Sequence, residues 1–157
     1  MLTNPDFKEL LNLFEKHKIR YLIVGGYAVM KYSEPRFTKD LDVWIATDPE
    51  NANAVYLALK EFGAPLADLN ADDFTRKDYF YQMGRLPLRV DIMMSIPGVD
   101  FEDAWKNREF VELDDFKIPF ISRSDLIRAK EASGSPQDKI DIDKLKEAEQ
   151  LEILDVK

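Results

Sequence analysis

Cysteine is absent from this chain of 157 residues, histidine occurs once, and no apolar run is long enough to cross a bilayer. Without cysteine there are no disulfides, no thiolate metal sites and no cysteine nucleophile, a pattern that fits a reducing cytosol. The lone His17 excludes a histidine-rich metal centre. Tyr21 to Met30 is the longest nearly apolar stretch, well short of the roughly 20 residues a spanning helix needs. No basic segment followed by an apolar one opens the chain, so the expectation is a soluble, cytoplasmic protein with no membrane partner. Positive charge is also in deficit, with 22 Lys and Arg against 30 Asp and Glu and a formal charge of -8. That argues against a broad nucleic-acid footprint, which needs arrays of cations. What remains is a local basic rim from Lys31, Arg36, Lys39, Arg85 and Arg89 that would draw in a small anion.

With 45% hydrophobic and 11% aromatic residues, the chain can bury one substantial core. The expectation is a single domain over 1–157, with its body over about 1–121 and a C-terminal helical segment over about 122–157. Asn4-Pro5-Asp6 reads as a helix start, and Phe7, Leu10, Leu11 and Phe14 follow at i, i+3, i+4 and i+7, predicting an amphipathic helix to about His17. Thr47-Asp48-Pro49 opens another, ending at Gly63, with Val55, Leu57, Ala58, Leu59 and Phe62 as its apolar side. Asp78 to Met83 and Leu86 to Met94 read as two strands joined at Gly84-Arg85, and Phe110 to Leu113 with Lys117 to Ile121 as a small hairpin around Asp114-Asp115. A helix capped by Ser122 or Ser124 is broken at Gly134-Ser135-Pro136. A last one over Gln137 to Ile153 carries Ile140, Ile142, Leu145, Ala148, Leu151 and Ile153.

The chemistry concentrates between Tyr21 and Ile45, in YLIVGGYAVMKYSEPRFTKDLDVWI. Tyr21 to Val24 is a short apolar run, Gly25-Gly26 stops it, and helix-compatible residues follow, so strand, tight turn and helix are expected in that order. Free N–H groups at the start of such a helix favour a phosphate, and glycines remove the Cβ barrier to close approach. Asp40 and Asp42, two apart on a strand, share one face while Leu41, Val43 and Ile45 point to the other. Two carboxylates about 4 Å apart repel by about 4 kcal/mol at an effective dielectric of 20, so the pair calls for protons or a hard divalent cation. Asp91 is a third carboxylate, alone on a later apolar strand, costly there unless it meets solvent, a partner or a metal. Thr38 lies where its hydroxyl could meet a phosphate or merely cap a turn. Taken singly, a Gly-Gly turn and an Asp-x-Asp on a solvated strand edge are commonplace.

Together they are more restrictive. Strand, Gly25-Gly26, helix, Asp40-x-Asp42 and a later Asp91 resemble the nucleotidyltransferase superfamily of the DNA polymerase β type, with Gly-Gly where many members have Gly-Ser. A closer resemblance is to the small bacterial branch of AbiEii-type toxins. It rests on Leu22 to Val29, Pro35 to Val43, and then Leu126-Ile127, Lys130, Gly134 to Pro136, Asp138 and Asp141. The chain is short for that branch, so an acceptor-binding region would be missing or come from another protein.

The resemblance implies an α+β fold, a mixed β-sheet flanked by helices with a C-terminal helical segment. It also implies transfer of NMP from an NTP to a hydroxyl on a tRNA, a protein or a small molecule, within a toxin and antitoxin pair. Asp40, Asp42 and Asp91 would be the catalytic residues and the ligands of Mg²⁺ or Mn²⁺, with Asp91 helping to deprotonate the acceptor. Gly25, Gly26 and Thr38 would bind the nucleotide, and Lys130 would touch phosphate or base or else be a solvated helix lysine. A silent nucleotide-binding or regulatory protein of the same fold is the alternative. A metal nuclease would leave the glycine turn without a role.

Overall fold

Helix α1 (Pro5–Lys16) starts where the Asn4 side chain accepts hydrogen bonds from the backbone N–H groups of Asp6 and Phe7, at 2.8 and 3.4 Å. Its predicted stripe of Phe7, Leu10, Leu11 and Phe14 is buried, each such side chain contributing roughly 1.5–3 kcal/mol. His17 ends the helix and lies 3.4 Å from Glu61. The computed structural model describes residues 4–35, 38, 40–85 and 88–156, with the backbone alone at 85, 88 and 156.

The chain continues through β1 (Tyr21–Val24), α2 (Gly25–Tyr32), β2 (Asp40–Ile45) and α3 (Pro49–Phe62). A short 3-10 turn follows at Ala71–Thr75, then β3 (Phe80–Arg85), β4 (Leu88–Met93), α4 (Phe101–Lys106), β5 (Glu109–Leu113), β6 (Phe116–Phe120), α5 (Arg123–Ser133) and α6 (Pro136–Val156). The six strands form one mixed sheet in the order β3-β4-β2-β1-β6-β5. β2 runs antiparallel to β1 and parallel to β4, so residues distant along the chain are laid side by side at its centre.

Asn51 ties that centre together. This buried amide accepts from the Arg20 N–H at 2.8 Å and donates to the Arg20 and Ala46 carbonyls at 3.1 and 2.7 Å, joining α3 to the start of β1 and the end of β2. Such satisfied buried amides fix an arrangement that apolar packing leaves free to slide.

Three expectations are corrected. Gly84 and Arg85 belong to β3, with Arg85 opposite Leu88, so the β3–β4 connection falls at 86 and 87 and not at Gly84-Arg85; those two residues lie outside the described ones. Leu57 is 45% exposed, because the helical period turns it away from the buried Val55, Ala58 and Leu59. Of the predicted apolar residues of α6, Leu145 alone is fully buried, whereas Ile140, Leu151 and Ile153 are exposed, since their spacing wanders off a single stripe. None of the described helices is long and apolar enough to cross a membrane.

Candidate functional site

The carboxylates meet through strand register. In the parallel β2–β4 ladder Asp42 is the partner of Asp91 and Asp40 the partner of Arg89, so all four side chains share one face of the sheet. The opposite face of β2 carries Leu41, Val43 and Ile45, all fully buried. Trp44 shares the carboxylate face, yet it is buried edge-on against Phe101 at 5.0 Å. That face is therefore polar at the Asp40 end and core at the other.

On the other side of β2, Val24 is the partner of Asp42, and Gly25 follows at once with φ +68°. A Cβ on Gly25 would stand 2.8 Å from the Asp42 Cγ and would overlap its Oδ2. Glycine is required here twice over, by the left-handed backbone and by the carboxylate pressed against it. Gly26 is buried in the first turn of α2. Among the described residues no side chain caps that turn, and no acidic residue lies within it, so its N–H groups are placed to meet an anionic ligand.

Burial, then the charges of Asp91 and Asp40, and a hydrogen bond with Asp91 push the Asp42 carboxyl up to about 7, against a smaller pull from Arg89. The site holds more negative charge than its surroundings neutralise. Among the described residues, Arg89 supplies the compensating charge. Its Nη2 donates to Asp40 Oδ2 at 2.7 Å, while its Nε lies 3.3 Å from Asp91 Oδ1, close enough for charge but not aligned for a hydrogen bond. Asp40 Oδ1 and Asp91 Oδ1 are buried without a hydrogen-bond partner among the described residues. Those orphaned oxygens, with Asp42 between them, are hard donors of the type a divalent ion takes. Among the described residues, however, no three acidic side chains already form a closed metal cluster. The guanidinium lies between two of the three.

A cavity of about 340 Å³ adjoins the third carboxylate, with Asp91, Tyr79, Phe80 and Met93 in its wall. Thr38 lies two residues before β2 and is partly exposed. Lys130 is ion-paired within the C-terminal helices, its Nζ 3.3 Å from Asp138 and 3.1 Å from the buried Asp141, so its charge is already matched. Of the expected basic rim, Lys31 lies over the Tyr32 ring and 3.8 Å from Glu109, while Arg36 and Lys39 lie outside the described residues. Sequence reasoning underrated Arg89. Its signal was there, two residues before Asp91 on the same strand face.

Among solved structures, the chain resembles a lincosamide antibiotic adenylyltransferase, LnuA, crystallised with lincomycin. The two are 20% identical with a TM-score of 0.58, over 92% of this chain and 96% of that one. An antigenic nucleotidyltransferase-like protein from Paracoccidioides brasiliensis is 16% identical with a TM-score of 0.55, over 93% and 75% of the two chains. The antibiotic-resistance factor ANT(2'')-Ia is 14% identical with a TM-score of 0.54, over 91% and 80%. At these identities the likeness establishes the fold, that of the nucleotidyltransferases. No curated protein matches the chain in sequence. The family model described as a nucleotidyltransferase of unknown function (DUF6036) matches residues 6–156, and this chain belongs to that family.

Proposed function

We propose that the protein transfers a nucleoside monophosphate from an NTP to a hydroxyl of a small-molecule acceptor, with Mg²⁺ or Mn²⁺ held by Asp40, Asp42 and Asp91. One observation carries the reading. Asp42 and Asp91 are register partners on parallel strands, and Asp42 is wedged against Gly25 where its carboxyl resists ionisation without a cation. A divalent ion bound there supplies charge neutralisation for the entering and leaving oxygens of an in-line displacement.

The chain's own residues do the positioning. The uncapped N–H groups at Gly25 and Gly26 receive the outer phosphates of the NTP. Asp91, in the wall of the neighbouring cavity, accepts the proton of the acceptor hydroxyl as that oxygen attacks the α-phosphorus, the α–β phosphoanhydride bond breaks and pyrophosphate leaves. Tyr79, Phe80 and Met93 offer the acceptor's body an apolar seat. A volume of about 340 Å³ suits a small molecule, and the charge of -8 disfavours a polynucleotide. The known substrate class of LnuA, an antibiotic, is compatible with this seat.

A second reading is favoured by Arg89. A guanidinium lodged between Asp40 and Asp91 is what a silent nucleotide-binding protein would retain. Incubation with α-labelled NTPs, Mg²⁺ and separate pools of small molecules, RNA and protein distinguishes the outcomes. Label in the small-molecule pool is expected. Label in RNA or protein would replace the acceptor class and favour the toxin role that the AbiEii resemblance implies. Tight NTP binding without transfer to any pool would favour the silent protein.

A further inference from the structure

We propose that Arg89 is a built-in counter-cation that competes with the divalent ion for Asp40 and Asp91, so that metal binds well only when a nucleotide draws the guanidinium away. This inference rests on the metal-site reading above and adds a regulatory element to it. The geometry is specific. Arg89 and Asp40 are partners in the β2–β4 ladder, and Arg89 and Asp91 are two apart on β4, so one guanidinium reaches both carboxylates that flank Asp42. Its Nη2 donates to Asp40 Oδ2 at 2.7 Å and, at the long distance of 3.5 Å, to Asp91 Oδ2, while its Nε and the Oδ1 atoms of both carboxylates have no hydrogen-bond partner among the described residues. A structural ion pair this enclosed would ordinarily satisfy both partners. Here the guanidinium neutralises charge while leaving oxygens available, and its side chain is 35% exposed, with room to leave.

The consequence is a coupling between two ligands. A divalent ion on the free oxygens and a guanidinium on the same two carboxylates oppose each other, because their positive charges repel at such short distances. An NTP adds phosphate oxygens to which a displaced arginine fork can turn. Cation and nucleotide then each raise the other's affinity by the same factor. In the free protein Arg89 keeps the three carboxylates from capturing stray metal.

Mn²⁺ titration followed by the loss of the free-ion paramagnetic resonance signal tests this without any assay of transfer. It is run on the native chain, Arg89→Met and Arg89→Lys, each with and without a non-hydrolysable ATP analogue. Without nucleotide, Arg89→Met is expected to bind Mn²⁺ at least tenfold more tightly than the native chain, with Arg89→Lys between them. The increase in Mn²⁺ affinity produced by the ATP analogue shrinks in the same order. A purely structural arginine predicts the reverse, a lower melting temperature with unchanged or weaker Mn²⁺ binding, and that result would overturn the proposal. Should Arg89→Met fail to fold, the lysine variant carries the test alone, and equality with the native chain refutes competition. Native chain and variants binding Mn²⁺ equally in the absence of nucleotide would sink the role of Arg89 and leave the metal site standing. No binding by any of them would sink both.

Discussion

Among the described residues, two acidic clusters each contain one basic residue, and they differ in how far their charge is satisfied. In the C-terminal helices, burial alone would raise the Asp138 carboxyl. Hydrogen bonds from Ser133, Ser135 and Lys130, with the Lys130 charge, outweigh it and bring the group down to about 2. Lys130 bridges Asp138 and the buried Asp141, and Gln137 donates to Asp141 at 3.1 Å, so α5 and α6 are clamped together. On the sheet, the same ingredients leave Asp42 raised to about 7 and two carboxylate oxygens orphaned. One cluster is complete within the chain. The other is left incomplete at a stability cost, which is what a ligand site requires.

Substitutions should separate the two. Asp42→Asn is expected to lower the rate of nucleotidyl transfer by a thousandfold or more, while the folded protein without metal becomes no less stable; transfer rate and urea melts read both quantities. A large loss of stability would instead make Asp42 a structural residue like Asp141. Lys130→Met should do the opposite. Breaking a buried pair leaves Asp141 and Asp138 uncompensated, with a loss of about 3 kcal/mol in urea melts and unchanged affinity for nucleotide. Weaker nucleotide binding in a correctly folded Lys130→Met would put Lys130 in the site after all.

Gly25→Ala adds both left-handed strain and an overlap with Asp42, and should destabilise by about 1–3 kcal/mol while abolishing the thermal shift produced by NTP and metal. The remaining effect is the pH dependence. The folded value of Asp42 lies above its unfolded value of 3.8, so the folded state holds the extra proton between about 4 and 7. Stability of the metal-free protein should therefore fall as pH rises through that window. Asp138 has the opposite sign. Its contribution is full above pH 3.8 and fades as pH drops toward 2. Melts across pH 4–8 on the native chain and Asp42→Asn should differ in slope, and parallel curves would mean that Asp42 ionises as an ordinary carboxylate.

Much of the fold was legible because its signals are local. Asn4 and Asp48 cap α1 and α3 where their side chains predicted, Gly63 ends α3 with φ +93°, and the Asp114-Asp115 turn joins β5 and β6. The β3–β4 connection was misplaced because Gly84, a turn residue by type, serves as a strand residue beside Arg89. α6 was misjudged because, of its apolar residues, Leu145 is buried where the helix packs on α5 and α2 while Ile140, Leu151 and Ile153 are exposed.

The chain by itself determined which residues are available for chemistry: two aspartates at alternating positions of one strand, a third alone on a later one, a glycine pair after an apolar run, and no cysteine or second histidine to compete. These follow from side-chain type and from the two-residue period of a strand, both of which act over a few residues. Only the tertiary structure decided that Asp91 lies opposite Asp42, that Gly25 is pressed against that carboxylate, and that Arg89 reaches two aspartates at once. Register between strands 49 residues apart is set by how the core packs, and no local pattern of residues carries that distance.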